Sequence, residues 1–295
     1  MIEATALRKR FGSTEAVCGL DLAVARGETF GLLGPNGAGK STTIHMLVGA
    51  LVPDTGDVRI DGRRATDPEV RRSIGIAPQE LAIYDELTAE ENLAFFARVF
   101  GIRGERLRER VQWGLEFARL VDRRRDRARS FSGGMKRRLN LACAAVHGPS
   151  VLLCDEPSVG VDPQSRNHLF EAIERLASEG CTILYTTHYM EEAARLCDRV
   201  GIMDRGRMLA VDTVDALIAA HGGDATVTVE LASEPPEGVA LPGTRQGRTL
   251  AIPSAEPLRT VAELGAAGLQ VARLTIERPD LERVFLHLTG RSLRD

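Results

Sequence analysis

No apolar run in this chain of 295 residues approaches the roughly 20 residues that a helix needs to cross a bilayer, so work at a membrane requires a span from another subunit. Met1 opens directly onto polar sequence, which predicts the absence of a secretory signal. There is no CxxC pair. Cys18, Cys143, Cys154, Cys181 and Cys197 form an odd, widely spaced set, mostly inside apolar runs, and read as core thiols in a reducing, cytoplasmic compartment. Lysine is nearly absent: Lys9, Lys40 and Lys136 stand among arginines, a bias that a GC-rich genome produces without any function. A one-sided charge is missing too. The formal net charge is −3 with both signs mixed along the chain, which argues against nucleic acid as the main partner. What remains, 43% hydrophobic and 27% charged, describes a soluble globular protein with one large domain and a small second one.

The stretch around which the chain is organised is Gly34-Pro-Asn-Gly-Ala-Gly-Lys-Ser-Thr42, between the apolar run Thr29 to Leu33 and a helical periodicity at Ile44, Leu47, Val48 and Leu51. Gly34, Gly37 and Gly39 let the backbone turn tightly and aim successive N–H groups at a phosphate chain, where the following helix adds its positive end. Lys40 is placed to neutralise β and γ phosphates, and the Ser41 hydroxyl is a hard oxygen suited to Mg²⁺. A glycine-rich turn that merely caps a helix is the bland alternative; the complete GxxxxGKS pattern in this setting argues against it.

From Ile2 to Glu28 short alternating runs predict antiparallel strands, with Phe11 in the turn between two of them. That ring is open to two readings: packing in the core, or stacking on adenine, a contact worth roughly 1 to 3 kcal/mol per base elsewhere. Val58 to Ile60 and Ile74 to Ala77 read as strands, the second ending at Pro78-Gln79. Thr88-Ala-Glu-Glu91 has capping-box spacing and opens a helix through Phe100, followed by a helix from Arg106 to Leu120. Arg123 to Arg129 reads as a solvated, charged connection. Phe131-Ser-Gly-Gly-Met135 leads to a helix from Lys136 to about His147, with Ser132 as its N-cap; the two glycines leave amides that could hold a second phosphate. Residues from about 80 to 148 thus form a helical lobe inserted into an α/β core.

Val151-Leu-Leu-Cys154 is a buried strand that ends in Asp155-Glu156, where open α/β sheets bind ligands. Asp155 suits Mg²⁺ held through water, and Glu156 suits polarising an attacking water. After Ser158-Val-Gly-Val-Asp162-Pro163 comes an amphipathic helix, then a strand from Thr182 to Tyr185 leading to Thr186-Thr187-His188, whose imidazole is placed to donate to a γ-phosphate oxygen; the other histidines read as ordinary. Val200 to Met203 and Met208 to Val211 predict a hairpin closing the domain at about residue 220. Beyond the linker His221-Gly-Gly-Asp224, residues 225 to 295 predict a small α+β sandwich, with strands at Thr226 to Leu231, Arg248 to Ile252 and Leu269 to Ile276, helices at Leu258 to Ala266 and Leu281 to Leu288, and loops at Pro235-Pro236 and Pro242-Gly243.

Taken together, Ile2 to Val211 resemble the ATP-binding cassette of ABC transporters, with every motif in the family's order: the phosphate loop Gly34 to Thr42, Gln79, the signature Ser132 to Gly134, Asp155-Glu156, the Asp162 loop and His188. The resemblance implies a P-loop NTPase cassette with a mixed sheet core, an antiparallel β subdomain and a helical lobe. It implies ATP and Mg²⁺, with Ser41, Gln79 and Asp155 toward the metal and Pro35, Asn36, Ala38 and Thr42 in the nucleotide loop. Glu156 matches the general base, Gln79 the residue sensing Mg²⁺, the attacking water and the membrane subunit, His188 the γ-phosphate switch and Phe11 the adenine-stacking aromatic, usually tyrosine. Two copies would pair head to tail on ATP, each nucleotide lying between one phosphate loop and the partner's Ser132, Gly133 and Gly134. Phe131 and Val161 stand where the family has leucine, and both keep bulk. Thr187-His-Tyr-Met-Glu-Glu192, Leu196-Cys-Asp-Arg-Val200 and the tail Leu281-Glu-Arg-Val-Phe-Leu-His-Leu-Thr-Gly290 are similar to ATPases serving ABC-2 type exporters, including the daunorubicin-resistance type.

That resemblance implies a motor subunit at the inner face of the cell membrane, energising a separate permease to export a drug, antibiotic or lipid-like compound. Leu81, Phe95 and Phe96 either line a groove for that permease or pack in the core. A cassette acting on nucleic acid or ribosomes would carry a coiled coil, a zinc module or a second cassette and a more basic balance; an importer subunit fits the His188 stretch and the tail less well.

Overall fold

The computed structural model describes residues 2–233, 242–267 and 269–290, and the loop expected at Pro235-Pro236 lies outside them. The chain divides into two compact units, Met1–Thr213 and Val214–Asp295. In the first, β1 (Ile2–Phe11) and β2 (Thr14–Val24) form a hairpin, and β3 (Thr29–Leu33) leads through the glycine loop into α1 (Lys40–Leu47). Next come β4 (Thr55–Ile60), β5 (Arg63–Arg64), α2 (Pro68–Arg72) and β6 (Ile74–Ala77). The lobe holds α3 (Ala89–Val99), α4 (Gly104–Phe117) and α5 (Gly133–Ala145). The remainder runs β7 (Val151–Asp155), α6 (Pro163–Ser178), β8 (Thr182–Thr187), α7 (Met190–Leu196), β9 (Arg199–Asp204) and β10 (Arg207–Asp212).

Two sheets result. One is antiparallel in the order β2-β1-β4-β5; the other, β10-β9-β3-β8-β7-β6, is parallel except for β10. Every residue of β3, β7 and β8 is buried, as expected for uninterrupted apolar strands covered on both faces. One face packs with α1 and the antiparallel sheet, through Leu32, Ile44, Leu153 and Leu184 against Ile2, Leu20 and Val58. The other packs with the lobe and α6, through Leu152, Cys154 and Tyr185 with Leu93, Leu115, Leu139 and Leu169.

Several expected details shift. Phe11 closes β1 opposite Thr14 instead of lying in the turn, because the hairpin loop needs only Gly12 and Ser13. The capping box forms: Glu91 N donates to Thr88 Oγ1 at 3.2 Å and Thr88 N to Glu91 Oε2 at 2.8 Å. The helix after the signature begins at Gly133, since Met135 N donates to Ser132 Oγ at 3.3 Å and so sets the cap. In the stretch 123–129, Ala128 is buried and several arginines are paired: Arg124 meets Glu90 at 2.8 Å, and Arg127 and Arg129 meet Glu86 at 3.3 and 3.4 Å. All five cysteines are free, and Cys143, Cys154 and Cys181 are buried.

The second unit starts at α8 (Val214–His221), a helix absent from the sequence reading, which packs on α10 (Leu281–Thr289). Between them lie β11 (Ala225–Leu231), β12 (Thr244–Gln246), β13 (Thr249–Ser254), α9 (Pro257–Ala266) and β14 (Val271–Glu277). Their antiparallel sheet has the order β12-β13-β11-β14. Val227, Val229, Leu250 and Ile252 on one sheet face close on Leu264 of α9.

Beyond the end of α5, the His147 ring stacks flat on Phe100 with centroids 3.6 Å apart, and burial pushes its pKa down to about 4. An imidazole in the unfolded chain protonates near pH 6.5, so between these values the unfolded chain binds the extra proton. Stability therefore falls as the pH drops from about 6.5 toward 4 and is unaffected by this group above that window. His147→Phe keeps a ring on Phe100 and removes the titration. Calorimetric melting between pH 7.5 and 5 is expected to fall more steeply for the wild type than for His147→Phe; equal slopes would refute the assignment.

Candidate functional site

Since β3, β8, β7 and β6 are parallel neighbours, the segments leaving their carboxyl ends share one edge: the glycine loop, the His188 turn, Glu156 and Pro78-Gln79. Leu33 is level with Thr187, and Asp155 with Thr186. A cleft of about 350 Å³ opens there, lined by Pro35, Asn36, Gly37, Gly39, Lys40, Ser41, Thr42, Gln79 and Glu156, with Ala16 of β2 at its side. Ala38 is turned inward, its carbonyl accepting from Gly206 N at 2.9 Å. Two glycines are required by geometry. Gly39 has φ +100°, and a Cβ there would overlap the Ala16 carbonyl; one on Gly34 would overlap the Met203 carbonyl.

Charge is concentrated at the floor of this cleft. Lys40, 5% exposed, donates to the carbonyls of Gly34 and Pro35 at 2.7 and 3.2 Å and meets Glu156 Oε1 at 3.1 Å. The second carboxylate oxygen lies 3.2 Å from His188 Nδ1, a contact too far off line to be a hydrogen bond. Glu156 thus stands between the two basic side chains that the sequence placed at phosphates. Its backbone is left-handed at φ +43°, a strained state for a residue with a side chain. Thr186 holds it: Glu156 N donates to Thr186 Oγ1 at 2.9 Å, and the same hydroxyl donates to Asp155 Oδ1 at 2.6 Å. Ser41 Oγ reaches that Asp155 oxygen at 3.4 Å.

Gln79 is held from α5, where the buried Arg137 donates to its carbonyl at 2.7 Å and Asn140 Nδ2 to the Pro78 carbonyl at 3.4 Å. Ser132, Gly133, Gly134 and Asp162 do not line the cleft. They form a second group: Asp162 caps α6, accepting from Ser165 N at 3.0 Å, which holds its carboxyl below the usual carboxylate range, and Gly134 packs directly on Ser165. Phe11 is 51% exposed, so it is no part of the core, and Lys9 Nζ lies 5.8 Å from its ring centre. Thr186, Arg137 and Asn140 escaped the sequence reading. Their signal was a polar residue inside a buried strand or on the inner face of a helix.

The family profile described as ABC transporter matches residues 17–159. Over the whole length of both chains, the protein is 39% identical to the linearmycin resistance ATP-binding protein of Bacillus subtilis. This chain belongs to the ATP-binding subunits of ABC transporters. It is also 43% identical to a Nod factor export ATP-binding protein of a Rhizobium species, over 99% of this chain and 98% of that one. The likeness therefore includes the second unit and puts this ATPase with export and resistance subunits, in line with the reading of the His188 stretch and the tail. A solved ATP-binding subunit of an ABC transporter superposes with a TM-score of 0.69 at 32% identity, over 75% of this chain and 93% of that one. The subunit binds and hydrolyses ATP, and no helix among the described residues is long and apolar enough to cross a membrane.

Alanine at a strained left-handed position costs about 1–3 kcal/mol, and at residue 39 it also meets the Ala16 carbonyl. Gly39→Ala is expected to lower the unfolding free energy in urea by at least that amount and to weaken ATP binding about tenfold or more by calorimetry. Unchanged affinity would mean that the loop geometry does not matter for the nucleotide.

Proposed function

We propose that two copies of this ATPase pair head to tail around ATP and energise a separate ABC-2 type permease from the cytoplasmic face of the cell membrane, exporting a drug, antibiotic or lipid-like compound. The observation that carries the chemistry is Glu156, buried and held between Lys40 and His188. Lys40 and the amides of the glycine loop bind the β and γ phosphates, and Lys40 then exchanges its contact with Glu156 for phosphate oxygens. Glu156 takes a proton from the attacking water as its oxygen bonds to the γ phosphorus and the bond to ADP breaks. His188 donates to a γ-phosphate oxygen and Gln79 orients the water. The hydroxyl of Ser41 and the carboxylate of Asp155, close enough to touch, fit Mg²⁺ as hard oxygen donors, with Gln79 nearby; the ion supplies charge neutralisation on the phosphates.

Pairing is supported by Gly133. Its φ is not left-handed, and a Cβ there would meet nothing, so glycine at this position serves no need of its own chain. A phosphate held by a second copy is a use for that open amide, with Ser132, Gly134 and Asp162 beside it. The half-exposed Phe11 ring suits adenine stacking. For the permease, Tyr84, Phe95 and Phe96 form an aromatic patch with ring centres 4.9 and 5.4 Å apart. Leu81, Tyr84 and Phe95 are exposed, and beside them a groove of about 330 Å³ runs between Ile76 and Phe96. The proposed cargo class is supported by the relatives, one named for linearmycin resistance and one for Nod factor export.

Glu156→Gln is expected to lower turnover by about 10² to 10⁴ while ATP binding persists and an ATP-bound dimer accumulates on gel filtration; wild-type turnover would remove Glu156 from its role. Capture of the tagged chain from detergent-solubilised membranes of its host is expected to recover a polytopic protein without an ATPase domain of its own. Ribosomes or nucleic acid in its place would overturn the transport assignment.

A further inference from the structure

Glu192, in α7, closes the stretch Thr187 to Glu192 but was given no role there, yet it is 2% exposed and its carboxylate takes three hydroxyl donors. Ser158 Oγ donates to Oε1 at 2.7 Å, and Tyr185 Oη and Thr187 Oγ1 each donate to Oε2 at 2.9 Å. Arg166 Nε lies 3.9 Å from Oε1. A carboxylate so buried persists only where donors replace its water, and these donors come from different segments. Ser158 lies in the loop between Glu156 and Asp162. Thr187 precedes His188 and binds on both sides, because its Oγ1 also accepts from Tyr189 N at 2.9 Å. The carboxylate therefore joins the loop that follows Glu156 to the turn that carries His188.

We infer that Glu192 is a positioning residue for ATP hydrolysis, a tie between these two segments that fixes the spacing of the Glu156 carboxylate and the His188 imidazole. The inference rests on the roles proposed for those two residues. Glu192 contacts neither the phosphate loop nor the cleft, so its loss acts on turnover and spares nucleotide binding. Displacements of about 1 Å at reacting groups cost up to about a hundredfold in rate.

The test measures kcat and KM for ATP on the full-length chain, with thermal melting alongside. Glu192→Ala is expected to lower kcat about ten- to a hundredfold with KM changed less than about threefold. In Glu192→Gln the amide oxygen accepts from Tyr185 and Thr187 while its NH₂ donates to Ser158 Oγ, so kcat returns to within about threefold of wild type. A second pair separates positioning from mere folding support and decides the matter if Glu192→Ala does not fold. Tyr185→Phe and Thr187→Val each remove one hydroxyl from the same carboxylate, but only Thr187 also holds the turn. Thr187→Val is expected to lose about tenfold in kcat and Tyr185→Phe less than about twofold. Equal losses in that pair, a KM that rises in step with the fall in kcat, or wild-type kcat in Glu192→Ala would each overturn the inference. Failure of the underlying roles reads differently, as wild-type turnover in Glu156→Gln.

Discussion

One buried ion pair constrains the rest of the active edge. Lys40 Nζ and Glu156 Oε1 are 3.1 Å apart with side chains 5% and 7% exposed, and each compensates the other's loss of water. The strand order makes the pair possible. β3 delivers Lys40 at the start of α1 and β7 delivers Glu156, with β8 between them, so the two charges must meet across two strand spacings of about 4.8 Å each. A long lysine side chain spans that gap. The middle strand ends in groups that meet the acids of β7: Thr186 at Asp155 and the Glu156 backbone, and His188 at the Glu156 carboxylate.

The Thr186 hydroxyl serves two neighbouring acids in different ways. It has one proton, given to Asp155, and it accepts from Glu156 N, so a single side chain orients one carboxylate and pins the backbone that presents the other. Glu156 is thereby kept in a left-handed backbone state that a side chain disfavours. Strain of this kind persists only where surrounding bonds over-determine it. Here they turn the residue after a parallel strand back toward the cleft, and a relaxed extended continuation of β7 would carry the carboxylate past Lys40.

The sheet edge was legible because each strand in it is a short apolar run stopping at a residue of distinct chemistry: Leu33 at glycine, Cys154 at acids, Tyr185 at threonines, Ala77 at Pro78-Gln79. The supporting shell was not. Nothing in Met-Glu-Glu distinguishes Glu191, on the outside of α7, from Glu192, which faces the hydroxyls; only the helix phase in the folded chain separates them. Arg137 and Asn140 drew no reading from the sequence, because their burial against the backbone of Pro78 and Gln79 depends on where β6 ends. Helix α8 has a weakly amphipathic sequence and packs on α10, near the end of the described chain, so local pattern could not assign it to the second unit. The relation of Phe11 to the core was open for a similar reason, because exposure is decided by what covers a strand end.

In the signature segment two of the three residues are explained inside their own chain and one is not. Ser132 is a helix cap with an ordinary capping bond, and Gly134 is glycine because Ser165 and Asp162 lie against it. Both have sufficient reasons inside their own chain. Gly133 has none: its backbone is accessible to any residue and the space beside it is empty. A side chain there would improve helix propensity by up to about 1 kcal/mol, so its absence weakens the fold slightly. The cleft of the same chain is lined by other residues and does not use that amide, and this is the observation on which the proposed pairing rests.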